Sequence, residues 1–102
     1  MRSVMVRYRV KPDRVAENEE LVRAVYEELH RTGVDGLGYA TFRLPDGVSF
    51  VHIAREHTGA GEPTRLSTVT AFQRFQENLG DRLEEGPVVT ALDEVGSFRL
   101  FS

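Results

Sequence analysis

The side chains best suited to chemistry in these 102 residues are three histidines, since the chain has no cysteine. The lack of cysteine excludes thiol nucleophiles, thiolate metal sites and disulfide scaffolds. The spacing of His30, His52 and His57 matches no metal-ligand motif, and His30 falls at the far end of a helical stripe. His52 stands apart because it lies inside a strand-like run. An imidazole titrates near neutral pH and can take a proton from a phenol or enol. Tyr8 and Asn18 are the polar groups that would donate hydrogen bonds to a bound oxyanion. The plainer alternatives are a locally bonded strand histidine, a core tyrosine, and an asparagine facing water or backbone.

Other charged groups offer less. Arg7, Arg9 and Arg43 could hold an anion, but alternating arginines on a strand more simply pair with acids such as Asp93 or Glu94. Glu84-Glu85 reads as a solvated pair. With 13 basic and 16 acidic residues the net charge is −3, which provides no field for nucleic acid or anionic lipid. Positions 49 to 53 bear a faint likeness to an aromatic RNA-contact motif but lack its basic-glycine lead-in. No apolar run approaches the roughly 20 residues of a membrane span. Met1-Arg2-Ser3 leads straight into a strand pattern rather than a signal peptide. A cytoplasmic protein is therefore expected, and the near-exclusive use of arginine over lysine suits a GC-rich bacterial genome.

These groups must be positioned by a short series of elements. Val4, Val6, Tyr8 and Val10 alternate with Ser3, Met5, Arg7 and Arg9, the period of a strand. Lys11-Pro12-Asp13 ends it and opens a helix running to Thr32, with Val15, Leu21, Val22, Val25 and Leu29 as its stripe and Asn18 within it. Gly33 stops that helix. Leu37 to Leu44 and Val48 to Arg55 form a hairpin around Pro45-Asp46-Gly47. Glu56 to Arg65, with two glycines and a proline, reads as a loop that could cover a pocket, His57 included. Ser67 or Thr68 caps a second helix with the stripe Phe72, Phe75, Leu79 and Leu83. Gly86-Pro87 restarts an extended segment from Val88 to Phe101, with Gly96 as a bulge. The order β-α-β-β-α-β predicts one α+β, ferredoxin-like domain over residues 1–102, with two helices on one face of a four-stranded antiparallel sheet.

A three-residue hairpin loop would pair Leu44 with Val48, Phe42 with Phe50, Ala40 with His52 and Gly38 with Ala54. These residues would then lie beneath the helices. His52 among such small neighbours implies unfilled volume, a cavity between sheet and helices. Its walls would include Tyr8, Ala40 and Phe72, with Asn18 and Gln76 reaching in from the helices. The reverse face would carry Met5, Tyr39, Val51 and Ile53 with Arg7, Arg9, Thr41 and Arg43, and would be shielded by a second copy of the chain. A one-residue slip of the hairpin would exchange these faces, so the assignment depends on the loop type.

The strand VMVRYRVKPD, the hairpin YATFRLPDGVSFVHIA and the helical LSTVTAFQRF together resemble the dimeric α/β-barrel superfamily, in its antibiotic-biosynthesis-monooxygenase-like branch. The likeness spans nearly the whole chain. It implies a ferredoxin-like protomer, a barrel-forming homodimer and a ligand cavity in each protomer. Some members oxygenate aromatic polyketides or quinols without metal or flavin; others degrade haem. The haem-degrading set is not carried over: its strand asparagine aligns with Val6, its helical histidine with Phe75, and the chain has no tryptophan. The resemblance thus implies a cofactor-independent oxygenase acting on a small hydrophobic or aromatic molecule, with His52 as base. The other reading is a non-catalytic dimeric binding or assembly module.

Overall fold

Alternating apolar residues in the first ten positions do form a strand, β1 (Arg2–Val10), and its inward side chains Tyr8 and Val10 are buried. The computed structural model describes residues 2–57 and 64–100. A 3-10 turn at Pro12–Arg14 leads into α1 (Val15–Thr32). Gly33 ends that helix at φ +61°, the left-handed conformation that glycine adopts without steric penalty, and its N–H returns to the Leu29 carbonyl. The hairpin strands are β2 (Leu37–Arg43) and β3 (Ser49–Glu56), and the last strand is β4 (Leu83–Leu92). Between β3 and β4 lie a second 3-10 turn at Arg65–Thr68, α2 (Thr70–Gln76) and α3 (Leu79–Arg82). The sheet runs β2-β3-β1-β4 with every neighbouring pair antiparallel. Val22, Val25 and Phe75 from the helices pack on Tyr8, Val10 and Phe50 of the sheet. This is the ferredoxin-like α+β fold expected from the order of elements.

The hairpin register differs from the expected one by a residue. Thr41 faces His52, Tyr39 faces Ala54 and Arg43 faces Phe50. The physical cause is the turn. Gly47 N–H bonds the Leu44 carbonyl, while the Asp46 carboxylate accepts from the backbone N–H groups of Val48 and Ser49 and from the Ser49 hydroxyl. Val48 is thereby held in the loop, and Leu44 pairs with Ser49 instead. Since side chains alternate strictly along a strand, the single step reverses every face of β2. Tyr39 and Thr41 turn toward the helices; Gly38, Ala40 and Phe42 turn to the open face, where Phe42 is half exposed.

Two other boundaries move. The second helix is broken rather than continuous: Asn78 adopts φ +56° between α2 and α3, and Leu83 begins β4 instead of closing a helical stripe. Its start is fixed from outside, because the Glu28 carboxylate of α1 accepts from Thr70 and Ala71 N–H, while Thr64 rather than Ser67 or Thr68 caps the preceding turn. The last strand lies at 83–92, residues 93–100 form no strand, and the irregularity sits at Gly86 rather than Gly96. Gly86 has φ +88°, and a Cβ there would stand 2.8 Å from the Arg7 carbonyl oxygen. Among the arginines, Arg9 pairs with Glu84 and Glu85, Arg43 with Glu19, and Arg55 with Glu94.

Candidate functional site

A cavity of about 250 Å³ lies between the sheet and the α2–α3 segment. Its floor is built by alternate residues of the central strands, Val4, Val6 and Tyr8 from β1 and His52, Ala54 and Glu56 from β3. Tyr39 closes one side from β2; Leu66, Phe72, Phe75, Gln76 and Leu79 roof it, and Pro87 and Val89 of β4 flank it. The lining is mostly apolar with a few polar groups, the usual composition of a small-molecule pocket.

His52 is 5% exposed and its ring nitrogens are both engaged. Nε2 lies 2.7 Å from the Tyr8 hydroxyl, and Nδ1 lies 2.5 Å from the Tyr39 hydroxyl and 3.2 Å from Thr41 Oγ1. Asn18, fully buried on α1, donates its amide N–H to the Tyr8 oxygen at 3.0 Å. A neutral imidazole in this position accepts a hydroxyl hydrogen at one nitrogen and donates its own proton from the other, so Tyr8 and Tyr39 serve it in opposite senses. Thr41 is held in turn by Tyr26, at 2.8 Å, whose ring stacks on Tyr39.

Burial governs the titration of this cluster. It lowers the His52 pKa to about 4, because an imidazolium is poorly solvated there, so the ring is neutral at neutral pH. Burial pushes the Tyr8 pKa up to about 12, opposed by the Asn18 hydrogen bond and the Arg82 charge. Tyr39 and Tyr26 are also raised by burial, so all three phenols stay protonated. Arg82, 1% exposed, spends its hydrogen bonds on the carbonyls of Phe75 and Glu77 at the end of α2 and lies 5.4 Å from the Phe75 ring centre. It thereby satisfies helix-terminal acceptors and pins a wall of the cavity.

Of the residues singled out from sequence, His52, Tyr8, Phe72 and Gln76 line the cavity. Asn18 stands behind Tyr8 and reaches the cavity only through it. Ala40 lies on the open face, a consequence of the hairpin register. His57 is exposed and outside the lining, and the rest of the expected covering loop, 58–63, lies outside the described residues. Sequence reasoning missed Tyr39, Thr41, Tyr26, Glu56 and Arg82. The first two carried a signal in the alternative register; Tyr26 continues the buried α1 face of Asn18, Val22 and Val25. Among the described residues no three His, Asp or Glu side chains group as a metal site, and no helix is long and apolar enough to cross a membrane.

No family model and no curated protein matches the sequence. Solved structures do match its fold. A crystal structure of an antibiotic biosynthesis monooxygenase superposes with a TM-score of 0.67 at 20% identity, over 94% of this chain and 100% of the other. Rv0793 from Mycobacterium tuberculosis gives 0.68 at 20% identity, over 94% and 96%. A Nitrosomonas europaea protein provisionally named an antibiotic biosynthesis monooxygenase gives 0.71 at 14% identity, over 94% and 100%. The chain thus has the fold of antibiotic-biosynthesis-monooxygenase-like proteins across nearly its whole length.

Proposed function

We propose that this protein is a cytoplasmic, homodimeric, cofactor-independent monooxygenase-type enzyme, a single domain acting on a small, flat, hydrophobic or aromatic molecule. The observation that carries the reading is the Asn18–Tyr8–His52–Tyr39 chain on the floor of an otherwise apolar cavity. His52 serves as base through Tyr8. A ligand proton passes to the Tyr8 oxygen as the Tyr8 hydrogen moves to Nε2, and the Tyr39 hydroxyl donates to the ligand oxygen that becomes negative. The His52 pKa is low in the empty site, but a ligand anion formed beside it favours the imidazolium and raises that value. Removing one proton from an activated CH2 group gives a carbanion that adds O2. The hydroperoxide then loses water to leave a carbonyl, so R2CH2 and O2 become R2C=O and H2O.

Oxygen uptake with a two-ring substrate carrying an activated CH2 group, such as 2-tetralone, tests this reading. One O2 should be consumed per carbonyl formed, and His52→Ala should slow turnover by about a hundredfold or more with the circular dichroism unchanged. Unchanged turnover in that variant removes the role of His52. Binding without any oxygen uptake favours the second reading, a non-catalytic small-molecule-binding module. One observation favours that second reading: both His52 nitrogens are occupied by protein hydroxyls.

The dimer rests on the open face of the sheet, where Met5, Ala40, Phe42, Val51, Ile53 and Val88 project away from both helices. Phe42 and Val88 are 49% and 61% exposed. Arg7, Arg9 and Arg55 share this half-apolar face, and a sheet face of that kind is a candidate surface for a second sheet to cover.

A further inference from the structure

The cavity has a second polar end that the His52 cluster does not explain. Glu56 lines it and is only 4% exposed. One carboxyl oxygen, Oε1, accepts from the Thr64 hydroxyl. The other, Oε2, is buried without a hydrogen-bond partner among the described residues. Native proteins rarely leave a buried carboxyl oxygen unpaired, because the desolvated group costs free energy until something donates to it, and here that oxygen belongs to a residue lining the cavity. Arg2 stands opposite Glu56 in the β1–β3 register and lines the same end.

The strand itself provides a ruler. His52, Ala54 and Glu56 alternate onto one face of β3, so the two polar ends are four residues apart, about 13 Å along the strand. Between them the floor is Ala54 and Val4, and the roof is Phe72 and Phe75. A ligand bridging both ends has an apolar, flat middle and one polar group at each tip. Allowing a hydrogen bond of about 2.8 Å at each tip leaves its oxygens roughly 7 Å apart, close to the span of two fused six-membered rings substituted at opposite ends.

We infer that Glu56 is the specificity-determining acceptor for a hydroxyl at the far tip of a two-ring aromatic ligand, with the Tyr8 and Tyr39 hydroxyls holding the oxygen at the near tip. The inference rests on the proposed aromatic-ligand reading and adds a length and a hydroxyl requirement to it. Arg2 complements Glu56, since a hydroxyl that donates to a carboxyl group can still accept from a guanidinium.

Calorimetric titration with 2,6-dihydroxynaphthalene and with naphthalene provides the test. The diol should bind the unmodified protein at least about tenfold more tightly than naphthalene. Glu56→Leu should weaken the diol by about tenfold while the naphthalene affinity stays within twofold, which also reports an intact cavity. A diol affinity unchanged in that variant overturns the role of Glu56 and leaves the cavity reading standing. Failure of both compounds to bind the unmodified protein overturns both. Should Glu56→Leu not fold, the unmodified protein still decides: a dimethyl ether of the diol that binds as tightly as the diol overturns the inference, and a tenfold weaker ether supports it.

Discussion

His52 is a titratable group held in a setting that strongly favours its neutral form, with hydroxyls on both nitrogens and the Phe75 ring 5.4 Å away. Its pKa falls from 6.5 to about 4 on folding. As the pH drops, the unfolded chain therefore takes up this proton first. The stability linked to the neutral ring is fully present above about pH 6.5 and is lost progressively toward pH 4, by about 3 kcal/mol in all. Urea unfolding of the native protein and of His52→Gln at several pH values measures it: the difference in unfolding free energy should shrink across that window, and a pH-independent difference would contradict the burial account. Tyr39→Phe removes the hydroxyl proposed to donate to the ligand yet keeps the ring that stacks on Tyr26. We expect about tenfold weaker binding of a phenolic ligand and a Tm lower by roughly 5 °C, since His52 Nδ1 keeps only the longer contact to Thr41, read by calorimetry and thermal melts.

At the scale of elements, two strand irregularities place the site. The Asp46 turn sets the hairpin register that brings Tyr39 and Thr41 to His52. Gly86 lets β4 shift register beside Arg7 and Tyr8, and its φ of +88° with no room for a Cβ demands glycine. Gly86→Ala should therefore destabilise the protein by about 2 kcal/mol, lowering Tm by roughly 10 °C in a chain of this size. A calorimetric Tm within 2 °C of the native protein would show that β4 relaxes without strain. Arg82 acts at the same scale, tying the broken α2–α3 segment to the cavity wall through the Phe75 and Glu77 carbonyls.

For the whole molecule the central matter is the uncovered sheet face. Light scattering coupled to size exclusion should give twice the 11.5 kDa chain mass, and Phe42→Asp, at a half-exposed position on that face, should give monomer without loss of secondary structure. A concentration-independent monomer for the native chain would count against the dimer. Val95, Phe98 and Leu100, which follow β4, are also exposed apolar side chains. The helices cannot serve that side of the sheet, because both pack on the Tyr8 and Phe50 face.

The sequence by itself determined the order of elements and the inward face of β1, since Val4, Val6, Tyr8 and Val10 alternate with Ser3, Met5, Arg7 and Arg9; the face of β3, where His52 stands between Val51 and Ile53, was read from the hairpin pairing that turns Phe50 inward. It therefore placed His52 and Tyr8 together on the helix side. It did not determine which residues of β2 join them. Tyr39, Ala40, Thr41 and Phe42 carry no clean alternation, so the choice of face fell to three hydrogen bonds from one aspartate in the turn. The buried ends of the cavity were equally hidden. Glu56 follows a strand and precedes a glycine-bearing run, so locally it resembles a loop acid, and Arg82 resembles a surface helix residue. Their burial arises from contacts with segments distant in the chain, a property of tertiary packing that no local pattern encodes.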